Sequence, residues 1–119
     1  MTTHEFNNPR NIFEKLKRDD SRLAEELNGD NMYNFIMTAN HLHESIKHWE
    51  MAVTGVVKRF QKRVEKDEHI KLCNLVVSGK QPLIVENNNG TMVVKVGESA
   101  MDANNFRKEL MDLLEVFFK

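Results

Sequence analysis

Apolar positions recur at helical spacing over the first two thirds of this chain, switch to a strand-like pattern, then return to helical spacing at the end. Ile12, Leu16, Leu23 and Leu27 fall on one helical face. Pro9 suits a first helical turn and Asn8 its cap, so a first helix is expected over 9–27. "NGD" at 28–30 reads as a stop followed by a new cap. From Asn31, Met32, Phe35, Ile36, Ala39, Leu42, Ile46 and Trp49 form a second stripe, which Val53, Val57, Phe60 and Val64 continue. One helix over 31–66 would be about 50 Å long, which is long for a domain of this size. Thr54-Gly55 is the natural break, because Gly disfavours a helix interior and Thr caps a new start.

A further helical stretch is expected from about His69 to Val77, ended by "SGKQP". In "PLIVENNNGTMVVKVG", two β-prone runs flank Asn-Gly, the strongest short hairpin signal. The expected hairpin pairs 83–87 with 91–96. A last helix starts at Ser99 or Asp102 and buries Phe106, Leu110, Leu113, Leu114 and Phe117. The expected fold is a single mostly α domain over 1–119. It is an antiparallel bundle of four to five helices, with the hairpin at about 83–96 as a flap between the last two.

Composition narrows the function classes. The chain has 119 residues, 17 Lys and Arg against 18 Asp and Glu, and a formal net charge of -1, so any electrostatic role rests on local patches. One cysteine, Cys73, excludes an intrachain disulfide framework and a four-cysteine zinc site. It reads as a small buried hydrophobe between Leu72 and Leu75. The polar start "MTTHEFNNPRN" has no apolar signal core, and no apolar run approaches a membrane span. A cytoplasmic setting, no membrane partner and no cofactor are therefore expected.

Three candidate sites emerge. In "ANHLHESIKHWE", His43 falls on the apolar stripe, while His41, Glu44 and His48 share the opposite face. A metal needs converging ligands, and His41 and His48 lie about 10 Å apart along a helix axis. No metal site is expected unless another segment supplies ligands. The plain reading is two solvated histidines and one partly buried histidine.

In "VVKRFQKRVEK", Lys58, Arg59, Lys62, Arg63 and Lys66 gather on one face, opposite Val56, Val57, Phe60 and Val64. Such a face tracks phosphates or an acidic protein surface. Glu65, Asp67 and Glu68 blunt its field, and no aromatic interleaves the cations to stack bases. The plain reading is an ordinary solvated helix face.

Third, Arg63 and His69 bracket five residues. This spacing resembles the R-x4-6-H pattern of the HEPN ribonucleases, small and often dimeric helical bundles in which the pattern lies on the terminal part of a bundle helix. The resemblance implies His69 as general acid or base on a ribose 2′-OH and Arg63 as stabiliser of phosphorane charge. Val64 departs from the polar residue that commonly follows the arginine there.

Several stretches also resemble an uncharacterised family of small bacterial helical proteins, loosely HEPN-like. They are "NPRNIFEKLKRDDSRL", "MYNFIMTANHLHESIKHW" and "FQKRVEKDEHIKLCNLVVSGKQ". His41, Leu42 and Glu44 match that family's His-Leu-x-acid run. Gln81 stands where its histidine would follow Lys80, and Cys73-Asn74 stands near its Arg-Asp. The resemblance implies the helical fold and argues against inherited catalysis at 73–81.

The leading expectation is a non-enzymatic interaction or regulatory protein, of phage, plasmid or defence-system type by resemblance. It would present Lys58, Arg59, Lys62, Arg63 and Lys66 to a protein or nucleic-acid partner. The alternative is a metal-independent, toxin-type ribonuclease using Arg63 and His69. A third reading is metal binding by His41, Glu44 and His48. The "LLEVFFK" end suggests a homodimer, with Phe118 off the main stripe and covering a second subunit unless it packs on the first helix.

Overall fold

The computed structural model describes residues 8–48 and 55–118, with positions 48, 55–58 and 61 described as backbone alone. Five α-helices, a three-stranded antiparallel sheet and a closing 3-10 turn follow one another along the described chain. The mostly α class read from the sequence is the class observed.

Helix α1 spans Pro9–Glu25, with Pro in its first turn. Asn8 Oδ1 accepts from Asn11 N at 2.9 Å, the N-cap bond that satisfies a free first-turn amide. Helix α2 spans Gly29–His48, two residues earlier than expected. Its cap is Asn28, whose Oδ1 accepts from Asn31 N at 2.8 Å. The sequence stripe goes inward: Met32, Phe35, Ile36, Ala39, Leu42 and Ile46 are all at most 1% exposed. Helix α3 spans Gly55–Lys66 and buries Phe60 and Val64. Trp49, Val53 and the Thr54 side of the expected break lie outside the described residues.

One polar residue interrupts the inner face of α1. Asp19 occupies the helical position between Leu16 and Leu23 and is 2% exposed. Its two oxygens are fully engaged. Thr38 Oγ1 donates to Oδ2 at 2.5 Å, Lys15 Nζ reaches the same oxygen at 2.8 Å, and Arg22 donates to Oδ1 at 3.2 Å. A buried carboxylate persists only when hydrogen-bonded and paired. Thr38 belongs to α2, so this network fixes how α1 sits on α2.

Helix α4 spans Glu68–Val77, and its start breaks the chain after α3. Asp67 holds an extended ψ of 133°, and its Oδ1 accepts from His69 N at 2.8 Å. Arg63 and His69 therefore lie on separate helices, whereas the family pattern would place them on one. Cys73 is buried, and burial pushes its thiol pKa up, so it remains a packed thiol.

The expected flap is a structural sheet. Strands β1 (Leu83–Asn88), β2 (Thr91–Val96) and β3 (Ser99–Asp102) lie in the order β1-β2-β3. Val94 pairs with Val85 and Met101, and Val94 and Val96 are core residues at 1% and 2% exposure. Ser99 is thus a strand residue, which excludes it as a helix start. The sequence hid β3 because it is four residues long and follows β2 through a two-residue turn at Gly97, where φ is 59°. Gly at the first central position suits a tight hairpin turn.

The last helix, α5 (Ala103–Glu115), begins directly after β3. Asp102 Oδ1 accepts from Asn105 N at 2.9 Å. Phe106, Leu110, Leu113 and Leu114 are buried as expected. Arg107 ties α5 to α1 through Asp20 at 2.9 Å. The chain then tightens into a 3-10 turn over Val116–Phe118. Phe118 stacks on Phe13 at 4.4 Å between ring centroids, and Phe117 meets Phe60 at 5.4 Å. The Phe118 side chain therefore closes onto the first helix of its own chain, the second of the two placements the sequence left open.

Candidate functional site

The outer surface of α3 follows from its inner one. Phe60 and Val64 are four residues apart, so they share the face that packs inward. Arg59, Lys62, Arg63 and Lys66 then project outward, and all four are exposed. No ion pair to another described residue holds any of them. The side chain of Lys58, expected on the same face, is outside those described.

Beside this face lies a cleft of about 440 Å³ where the end of α3, the start of α4 and α5 meet. Arg63, Asp67, His69, Glu109, Asp112, Leu113 and Val116 line it. The fold thus brings Arg63 and His69 to one cleft. It also surrounds His69 in a way the sequence did not foretell. His69 Nδ1 lies 2.9 Å from Asp67 Oδ1, and Nε2 lies 2.6 Å from Glu109 Oε2. Both ring nitrogens donate to these carboxylates when the ring is protonated. The ring also rests 5.6 Å from that of Phe106.

A general acid or base must present a nitrogen to the reacting group. Here both nitrogens face carboxylates of the protein itself. His69 consequently clamps α4 to α5, and catalysis at Nε2 would require Glu109 to move away. Asp67 was readable as a cap, since an aspartate followed by an acidic first turn is a helix-start signal. Glu109 was not: it sits forty positions after His69, and only the packing of α5 on α4 joins them.

The histidines of α2 separate as their spacing implies. His41 is exposed and His43 is half-buried, while the His48 side chain is not among those described. Glu44 is half-buried and has an interaction partner. Among the described residues, no group of three or more His, Cys, Asp or Glu side chains is placed to hold a metal ion.

His43 lines a second cleft, of about 490 Å³, between α2, α3 and α4. Glu44, Lys47, Glu65, Ile70, Lys71, Asn74 and Leu75 complete its walls. Burial lowers the His43 pKa below 6.5, with Lys47 pushing the same way and Glu44 and Glu65 opposing. The sign follows by linkage. Above pH 6.5 the ring is mostly neutral in folded and unfolded chains alike. As pH falls below that value, the unfolded chain takes up the proton first and stability drops. Thermal unfolding between pH 7 and about 5 should show a smaller acid-induced loss in His43→Gln than in the native chain. An equal loss in both would assign the acid sensitivity elsewhere.

No described helix is long and apolar enough to cross a membrane. No family model, curated protein or solved structure matches the chain. The site must therefore be read from its own geometry.

Proposed function

We propose that this chain is a small, non-catalytic helical interaction protein that presents the basic face of α3 to an anionic partner. One observation carries the reading. Arg59, Lys62, Arg63 and Lys66 are all exposed on a helix whose other face, with Phe60 and Val64, is buried. The helix is anchored by its apolar side, so the backbone positions that carry the cations are fixed before binding and only their side chains are ordered on contact. Such a row suits regularly spaced negative charges, in a nucleic-acid backbone or an acidic protein segment.

The ribonuclease reading keeps one supporting observation, the shared cleft of Arg63 and His69. The carboxylates of Asp67 and Glu109 on the two nitrogens of His69 weigh against it. One experiment separates these readings. The protein is titrated at low salt into labelled single-stranded RNA and, separately, into a labelled polyglutamate peptide, and the RNA is then resolved on a denaturing gel. Saturable binding of at least one probe, with full-length RNA recovered, is the expected result. Binding of neither probe would overturn the proposal. RNA cleavage that disappears in His69→Ala would replace it with the ribonuclease.

A further inference from the structure

The hairpin between β1 and β2 carries chemistry that the basic face does not use. Its turn is Asn89-Gly90, flanked by the paired residues Asn88 and Thr91. Both turn residues have positive φ, 54° at Asn89 and 88° at Gly90, as a type I′ turn demands. Positions 87–91 are all exposed. An asparagine followed by glycine is prone to spontaneous imide formation, because no side chain on the next residue shields the side-chain carbonyl from the backbone nitrogen. The nucleophile in that reaction is Gly90 N. In this fold it is occupied: Gly90 N donates to Asn87 Oδ1 at 2.8 Å.

We infer that Asn89 is a site of spontaneous deamidation whose rate is restrained by the Asn87 side chain. The reaction is balanced with solvent alone. Gly90 N loses its proton to a solvent base and attacks Asn89 Cγ. The bond from Cγ to the side-chain nitrogen breaks, and ammonia leaves. The resulting succinimide takes up one water at either carbonyl and opens to an aspartyl or isoaspartyl residue at position 89. While Asn87 holds the Gly90 N–H, that proton is kept and the nitrogen's direction of approach is fixed. The isoaspartyl product places an extra carbon in the backbone of a two-residue turn. The Asn88–Thr91 pair cannot close over that turn as before, and a new carboxylate appears beside β2.

The chain contains its own reference. Asn28-Gly29 is the same dipeptide in a different setting. There the asparagine Oδ1 is fixed as the α2 cap, accepting from Asn31 N at 2.8 Å, and Gly29 is the first residue of the helix. In denaturant the two dipeptides share the same chemistry. In the native fold they differ in what holds the reacting groups.

The test is incubation of the folded protein at mildly alkaline pH, followed by peptide mapping that separates aspartyl and isoaspartyl products at positions 28 and 89. Native protein should convert at Asn89 ahead of Asn28. Asn87→Ala should speed conversion at Asn89 by roughly two- to ten-fold, the rate equivalent of one neutral hydrogen bond, and leave Asn28 unchanged. Asn87→Asp keeps an acceptor at this position and should remain slow. The inference is overturned if Asn87→Ala leaves the Asn89 rate unchanged, or if Asn89 converts no faster than Asn28 in the native fold. Circular dichroism of each variant confirms that the compared proteins are folded.

Discussion

Phe106→Ala is expected to lower the stability of the fold by about 3–5 kcal/mol, the range for truncating a fully buried Phe. The ring is 0% exposed in the first turn of α5, where the sheet hands over to the helix. Truncation loses the transfer energy of the ring and leaves a space that neighbours on several elements cannot all close. It also removes the surface against which His69 rests. A domain of this size holds about 5–15 kcal/mol in total, so the variant should sit close to its unfolding limit. Urea unfolding followed by circular dichroism should show a lower midpoint with an unchanged slope. A loss below about 1 kcal/mol would mean that α5 is not central to the core.

The second large effect concerns binding. Reversing two cations of the α3 face together, Lys62→Glu with Arg63→Glu, should weaken anionic-probe binding by roughly a hundred-fold at low salt. Charge-assisted hydrogen bonds contribute about 1.5–3 kcal/mol each, and two at the lower figure give that factor. Both residues are exposed, so the fold itself should change by no more than about 0.5 kcal/mol. Matching circular dichroism spectra and unfolding midpoints would assign the loss to the surface. Binding at native strength would remove α3 from the interface.

Particular residues show how far the sequence alone could be read. The stripe from Met32 to Ile46 was legible because a buried helix face must repeat at helical spacing. The β1–β2 hairpin was legible because Asn89-Gly90 takes positive φ more readily than other dipeptides. β3 was hidden because four residues carry too little periodicity, and Ser99 imitates a helix cap. Asp19 was hidden because its partner Thr38 lies on another helix. A charged residue at a core position of α1 was the available signal.

The candidate site divides along the same line. The basic face of α3 needs only one helix and its inward side, so spacing was enough to find it. The cleft around His69 needs three elements. Arg63 and His69 were visible as a pair, but the carboxylate on Nε2 comes from Glu109, and no local pattern announces it. The sequence left Phe118 between two placements for a similar reason. Its stacking partner, Phe13, stands at the other end of the chain, and a helical wheel of α5 does not describe the 3-10 turn that carries Phe118 there.

The central claim, that α3 is a cation row binding an anionic partner, is tested most directly by the salt dependence of binding. Binding of the probe that the chain holds, single-stranded RNA or polyglutamate, is measured across a salt series for the native chain and for the Lys62→Glu, Arg63→Glu variant. The native chain should show log affinity falling steeply and linearly with log salt. The variant should show a shallower slope, by roughly 1.4 on single-stranded RNA, about 0.7 for each cation removed. Identical slopes for the two proteins, or a native slope near zero, would contradict the claim.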